Sequence, residues 1–140
     1  MSGSGARRRR LLPWLPVLAV MALIFVLSAQ SGLKVSSDPA VDKPFRVTGH
    51  LLAYAVLAGL SLVALSWGRL PRFQDAAVAL VIATVYGLTD ELHQSFVPDR
   101  MGRLDDVITD VIGAVLGIAV AWVVLTLLVN RRERRQGTGR

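Results

Sequence analysis

The sequence predicts an all-α fold: a four-helix transmembrane bundle with both termini in the cytoplasm. Three observations carry that reading. Apolar residues make up 53% of the chain against 19% charged, and they are gathered into four blocks rather than spread evenly. The mean hydropathy is +0.51, with less charge than a soluble domain of this size usually carries. Lys and Arg collect in the segments on one side of the blocks. The chain has 140 residues, which suits one small domain. No block is long enough to be a domain alone, so the helices must pack on one another. The expected organisation is a basic tail at 1–10, a four-helix membrane domain at 11–129 and a second basic tail at 130–140, with the extreme ends irregular.

The first block, Leu11 to Ala29, is free of charge over 19 residues. Its basic start and small-residue end resemble a signal peptide, but cleavage after Ala29 would place Leu27 where a small residue is wanted, so an uncleaved anchor is expected. The second block runs from Val47 to Ser66 and contains His50 and Tyr54. The third, Ala76 to Thr89, is short for a hydrocarbon core of about 30 Å, which takes about 20 helical residues. It spans if the helix continues through Asp90-Glu91-Leu92-His93-Gln94-Ser95-Phe96 before Pro98 stops it; a re-entrant hairpin is the alternative. The fourth, Val107 to Val129, is interrupted only by Asp110. Helix is expected throughout because it satisfies its own backbone hydrogen bonds in lipid.

Orientation follows from the basic residues. Eleven of the sixteen Lys and Arg residues lie in the two tails and the loop between the second and third blocks, and eight of the ten acidic residues lie on the opposite side. Positive segments stay inside, which puts both tails in the cytoplasm and the two polar loops outside. The arginines flank apolar segments with no aromatic residues between them, so nucleic acid is not an expected partner. There are no cysteines, which excludes disulfides, thiolate nucleophiles and Cys-ligated metals.

Polar residues then converge at one depth. Arg46, His50 and Tyr54 recur at i, i+4, i+8 on the second helix and share a face. Asp90 and Gln94 are four apart on the third, with Glu91 and His93 beside them. Asp106 and Asp110 are four apart at the start of the fourth. Each has an ordinary explanation. Asp105 and Asp106 suit a helix N-terminus, where free N–H groups and the helix dipole favour carboxylates. His50 could hydrogen-bond between helices, His93 and Gln94 could be solvated at the interface, and Arg100 and Arg103 could be loop charges. Asp110 is harder to dismiss, because it lies a full turn inside an apolar helix and needs a partner. Gly113 and Gly117 share the Asp110 face and predict a close helix–helix contact beneath the polar layer.

These residues also resemble a family. The run from Asp90 through Arg100, followed by Asp106, Asp110, Gly113 and Gly117, is similar to the signature of VanZ-like membrane proteins, as are Phe25 to Ser31 and His50 to Leu57. The resemblance covers roughly residues 14 to 128. Two positions depart from or narrow the pattern: Asp99 stands where the family often has Gly, and Asp110 where it has Asn or Asp. The resemblance implies a four-helix bacterial membrane protein whose namesake is associated with low-level teicoplanin resistance, and it supplies no reaction. The expected function is an outward-facing polar pocket that binds a cell-envelope lipid headgroup or a glycopeptide. Arg46, Arg100 and Arg103 would meet a phosphate there. The alternatives are an outer-leaflet enzyme with a His and carboxylate site, which could hold a metal, and a carrier that would need an oligomer. The residues expected at the site are Arg46, His50, Tyr54, Asp90, Glu91, His93, Gln94, Arg100, Asp106 and Asp110. Sequence names neither a cofactor nor an oligomeric state.

Overall fold

A computed structural model describes residues 11–30, 38–98 and 103–137, and these residues form helices and connecting turns. A 3₁₀ turn at Leu12–Trp14 leads into α1, Leu15–Ser28. The other helices are α2, Pro39–Leu65; α3, Phe73–Gln94; and α4, Leu104–Gly137. α2, α3 and α4 are each long and apolar enough to cross a membrane, while the first apolar helix, Leu12–Ser28, is shorter. At 1.5 Å per residue the 14 residues of α1 rise about 21 Å, so this helix reaches less deeply than its neighbours.

Local chemistry sets the helix ends. α2 begins two turns before its apolar block because the Asp38 carboxylate accepts the Ala40 N–H at 2.9 Å and Pro39 opens the helix, where a missing N–H costs no bond. It ends at a turn in which Gly68 takes a φ of 79°, a conformation that suits a residue without Cβ. α3 is anchored by Asp75, whose carboxylate accepts the Arg72 N–H at 2.8 Å and two Arg69 guanidinium bonds at 2.6 and 2.7 Å. α3 is continuous over 22 residues, which excludes the re-entrant hairpin. It stops at Gln94 rather than Phe96, because Ser95, Phe96 and Val97 fold into a turn on the carbonyls of Glu91, His93 and Gln94. α4 continues past Val129 through the arginines to Gly137, so Gln136 and Gly137 are helical rather than irregular. Its 34 residues rise about 51 Å, well beyond the hydrocarbon thickness.

Close backbone approach explains how the helices form a bundle. α2 and α4 run parallel, with Arg46 beside Asp106, His50 beside Asp110, Leu51 beside Gly113 and Ala55 beside Gly117. At the two glycines the backbones touch: a Cβ on Gly113 would collide with the Leu51 carbonyl, and one on Gly117 with that of Ala55. α3 runs antiparallel to this pair. Its Ala79, Ala83 and Gly87, one turn apart, are all buried. α1 lies against α2 and α3, burying Val17, Ile24 and Ser28, and the Tyr86 hydroxyl donates to the Met21 carbonyl at 2.5 Å. Small residues make the α2–α4 contact and the buried stripe of α3, as expected where lipid supplies no hydrophobic drive between helices, while Val17, Ile24, Tyr54 and Leu57 fill the core beside α1.

The outside of the bundle is as apolar as its core, unlike that of a water-soluble protein. Leu23, Val81, Leu92, Val120 and Val123 are exposed, whereas Asp90, Glu91, Asp106 and Asp110 are buried. Water would penalise so extensive an apolar surface, and a bilayer does not.

Candidate functional site

Apart from Asp75 at the start of α3, the buried acids lie at one end of the bundle, where the C-terminal turns of α1 and α3 meet the N-terminal part of α2 and α4. Helical periodicity divides the α3 residues between two seams. Asp90 and Gln94 face α1: Asp90 Oδ2 accepts the Ser28 hydroxyl at 2.9 Å and the Gln94 amide at 2.9 Å. Glu91, one position on, faces α4, and its Oε2 accepts the Arg103 backbone N–H at 2.6 Å. That bond joins the end of α3 to the residue preceding α4.

α2 and α4 are cross-linked twice, one turn apart. Arg46 forms an ion pair with Asp106, which is 4% exposed. His50 Nδ1 lies 2.9 Å from Asp110 Oδ1, and Asp110 is 1% exposed. Both pairs face inward because Arg46 and His50 share one face of α2, and Asp106 and Asp110 one face of α4. Glu91 closes the group: ligand-capable atoms of His50, Glu91 and Asp110 all lie within 4.8 Å of one another. Among the described residues, Asp90 Oδ1, Glu91 Oε1, Asp110 Oδ2 and the Tyr54 hydroxyl have no hydrogen-bond partner, although each is buried. Buried polar atoms are normally satisfied, so these four carry unused hydrogen-bonding capacity, as does His93 Nε2 on another side of α3.

Beside this layer is a cavity of about 280 Å³ between α1, α2 and α3. Ile24, Leu27, Phe45 and Ala53 make apolar walls, and Ser28, Arg46, His50, Tyr54 and Asp90 contribute polar groups. The His50 and Tyr54 rings stack nearly parallel at 6.3 Å, one turn apart along it.

The structure therefore places Arg46, His50, Tyr54 and Asp90 on one cavity, with Glu91, Asp106 and Asp110 joined to them through His50 and Arg46. Gln94 reaches the cavity through Asp90. His93 goes elsewhere: its ring stacks on Phe25 of α1 at 4.6 Å, on a different side of α3 from Glu91. Arg100 lies outside the described residues. The arginines are also less available to a phosphate than their charges suggested, since Arg46 is held by Asp106 and the exposed Arg103 guanidinium lies 3.3 Å from Asp105. Among the described residues, the layer is acidic on balance.

Sequence reasoning left three contributors out of the site. Ser28 binds Asp90, and its position one turn beyond Ile24 was the available signal. The Arg103 backbone N–H binds Glu91, and no side-chain pattern could have found it. Gly87 completes the small-residue stripe of α3, and a Cβ there would come within 3.1 Å of Asp110 Oδ2 and 3.4 Å of Tyr54 Cε1.

No curated protein and no solved structure matches the chain. A family match does account for it. The polar layer and the glycine seam beneath it fall within residues 13–126, the stretch that matches VanZ/LLP1, and the chain belongs to that family of membrane proteins.

Proposed function

We propose that this VanZ/LLP1 membrane protein binds the headgroup of an aminophospholipid of the cell envelope at the outer leaflet of a bacterial plasma membrane. The observation that carries this reading is the two-natured cavity: apolar walls from Ile24, Leu27 and Phe45 beside Ser28, Arg46, His50 and Asp90. An acyl chain suits the first surface and a zwitterionic headgroup the second. Arg46 spends one N–H on Asp106 and has further donors for a phosphate, and the unpartnered Asp90 Oδ1 suits an ammonium. A volume of about 280 Å³ sits at the small end of ligand pockets, which suits a headgroup and admits only part of a glycopeptide. Orientation comes from the asymmetry of the basic residues, which supports cytoplasmic tails and an outward polar layer.

Lipids retained by the purified protein, identified by native mass spectrometry, test the reading. Aminophospholipids should be enriched over anionic lipids, and Asp90→Asn and Arg46→Gln should each remove the enrichment. Retention indifferent to headgroup, or unchanged in both variants, would refute it. Reporter fusions at Pro39 and Arg135 test the orientation, and an extracellular signal at Arg135 would overturn it. A protein that holds an envelope lipid at the outer leaflet also alters what a glycopeptide meets there, so loss of the protein should change teicoplanin susceptibility. A second reading, an outer-leaflet enzyme acting on such a lipid, is favoured by the His50, Glu91 and Asp110 group. Turnover of the retained lipid would distinguish it from binding alone.

A further inference from the structure

We propose that His50, Glu91 and Asp110 form a binding site for one divalent transition-metal cation, with Zn²⁺ and Mn²⁺ as the fitting ions. Three helices each contribute one residue, and the candidate ligand atoms lie within 4.8 Å of one another. Ligands about 2.0–2.2 Å from a tetrahedral ion lie about 3.3–3.6 Å apart, so loading draws the group in by up to roughly 1.4 Å, shared among three side chains. Side-chain rotation supplies a movement of that size without shifting the helices.

The cluster differs from a chance gathering of acids. Glu91 is 6% exposed and Asp110 1% exposed, and each turns an unpartnered oxygen into the protein, Oε1 and Oδ2. Their other oxygens are already oriented, Glu91 Oε2 by the Arg103 N–H and Asp110 Oδ1 by His50. Ligating carboxylates are commonly held in this way, by hydrogen bonds that fix their direction. Arg46, one turn from His50 on α2, is engaged by Asp106. Two buried carboxylates with a neutral imidazole carry the charge that one divalent ion cancels, and in a low-dielectric layer that cancellation matters more than at a surface.

The donor set selects the ion. One imidazole with two carboxylates is intermediate between the nitrogen-rich sites of copper or nickel and the all-oxygen sites of magnesium and calcium. Calcium needs six to eight oxygens, more than these side chains offer. Three protein ligands leave a coordination position for water or a phosphate oxygen, the arrangement of catalytic rather than structural zinc. His50 also lines the headgroup-sized cavity, so the two sites share a side chain. The metal site does not rest on the lipid reading, and either can fail alone.

The test uses the full chain in detergent, stripped with a chelator and dialysed against ZnCl₂ or MnCl₂, with bound metal measured by mass spectrometry after gel filtration. One ion should bind per chain. His50→Ala and Glu91→Ala should weaken binding about tenfold or more, and Asp110→Asn should weaken it less because an amide oxygen can still ligate. Asp105→Asn removes a charge nearby on an exposed carboxylate and should leave affinity unchanged. CoCl₂ added to the wild-type protein should give visible ligand-field absorption, a readout that needs no variant to fold. Sub-stoichiometric binding by the wild type, absence of those bands, or equal losses in Asp105→Asn and Glu91→Ala would each overturn the proposal.

Discussion

Gly117 offers the sharpest test of how the bundle closes. A Cβ placed there would lie 2.5 Å from the Ala55 carbonyl carbon and 2.6 Å from its Cα, with the carbonyl oxygen nearer still. Carbon atoms in contact prefer about 3.5–4.0 Å, so Gly117→Ala must separate α2 from α4 by roughly 1 Å. Neither partner can yield by rotating a side chain, because the atoms it meets are backbone. Forced separations of this kind cost about 1–3 kcal/mol in packed cores. The same gap opens along the seam toward His50 and Asp110, seven residues or about 10 Å higher on α4. Ala119→Leu is the control: Ala119 is exposed on another face of the helix and should change stability by no more than about 0.5 kcal/mol. Thermal unfolding in detergent, followed by loss of monodisperse protein, should show Gly117→Ala melting several degrees below the wild type, Gly117→Leu lower again, and Ala119→Leu unchanged. Equal melting of Gly117→Leu and Ala119→Leu would refute the close α2–α4 contact.

Further outcomes follow from the same geometry. Gly87→Ala places a Cβ 3.1 Å from Asp110 Oδ2, so the carboxylate must shift; metal affinity should fall several-fold while the melting temperature changes little, and unaltered affinity would separate Gly87 from the site. Tyr86→Phe removes the bond to the Met21 carbonyl and should destabilise the protein by about 1 kcal/mol, measured as a lower melting temperature and faster proteolysis of α1. Asp75→Asn weakens the paired Arg69 bonds at the start of α3, and the partly exposed guanidinium makes the effect salt-dependent: the melting temperature should fall at low ionic strength and less so at high. A loss that salt leaves unchanged would mean that the Arg72 N–H bond, not the ion pair, holds the turn.

Much of the site was legible because helical spacing is a strong constraint. Once Arg46 and His50 share a face of one helix, and Asp106 and Asp110 a face of another, parallel packing in register pairs them automatically, as it does in the structure. The glycines at 113 and 117 marked the seam for the same reason. His93 shows the limit of that logic. Its spacing from Glu91 turns it to another side of α3, but only the position of α1 decides that Phe25 receives it.

By itself, the sequence determined the helical class, the apolar blocks and the level at which the polar residues gather, since these depend on composition and on a period set by the backbone. Tertiary structure decided the rest. It decided that α2 begins at Pro39 and α4 runs on to Gly137, because caps and charged turns extend helices beyond their apolar blocks. It decided which acids are paired and which oxygens are left without partners, because that depends on distances between helices far apart in the chain. It also turned Asp90 toward Ser28 and Glu91 toward Arg103, so that two adjacent carboxylates, alike in sequence, serve different seams.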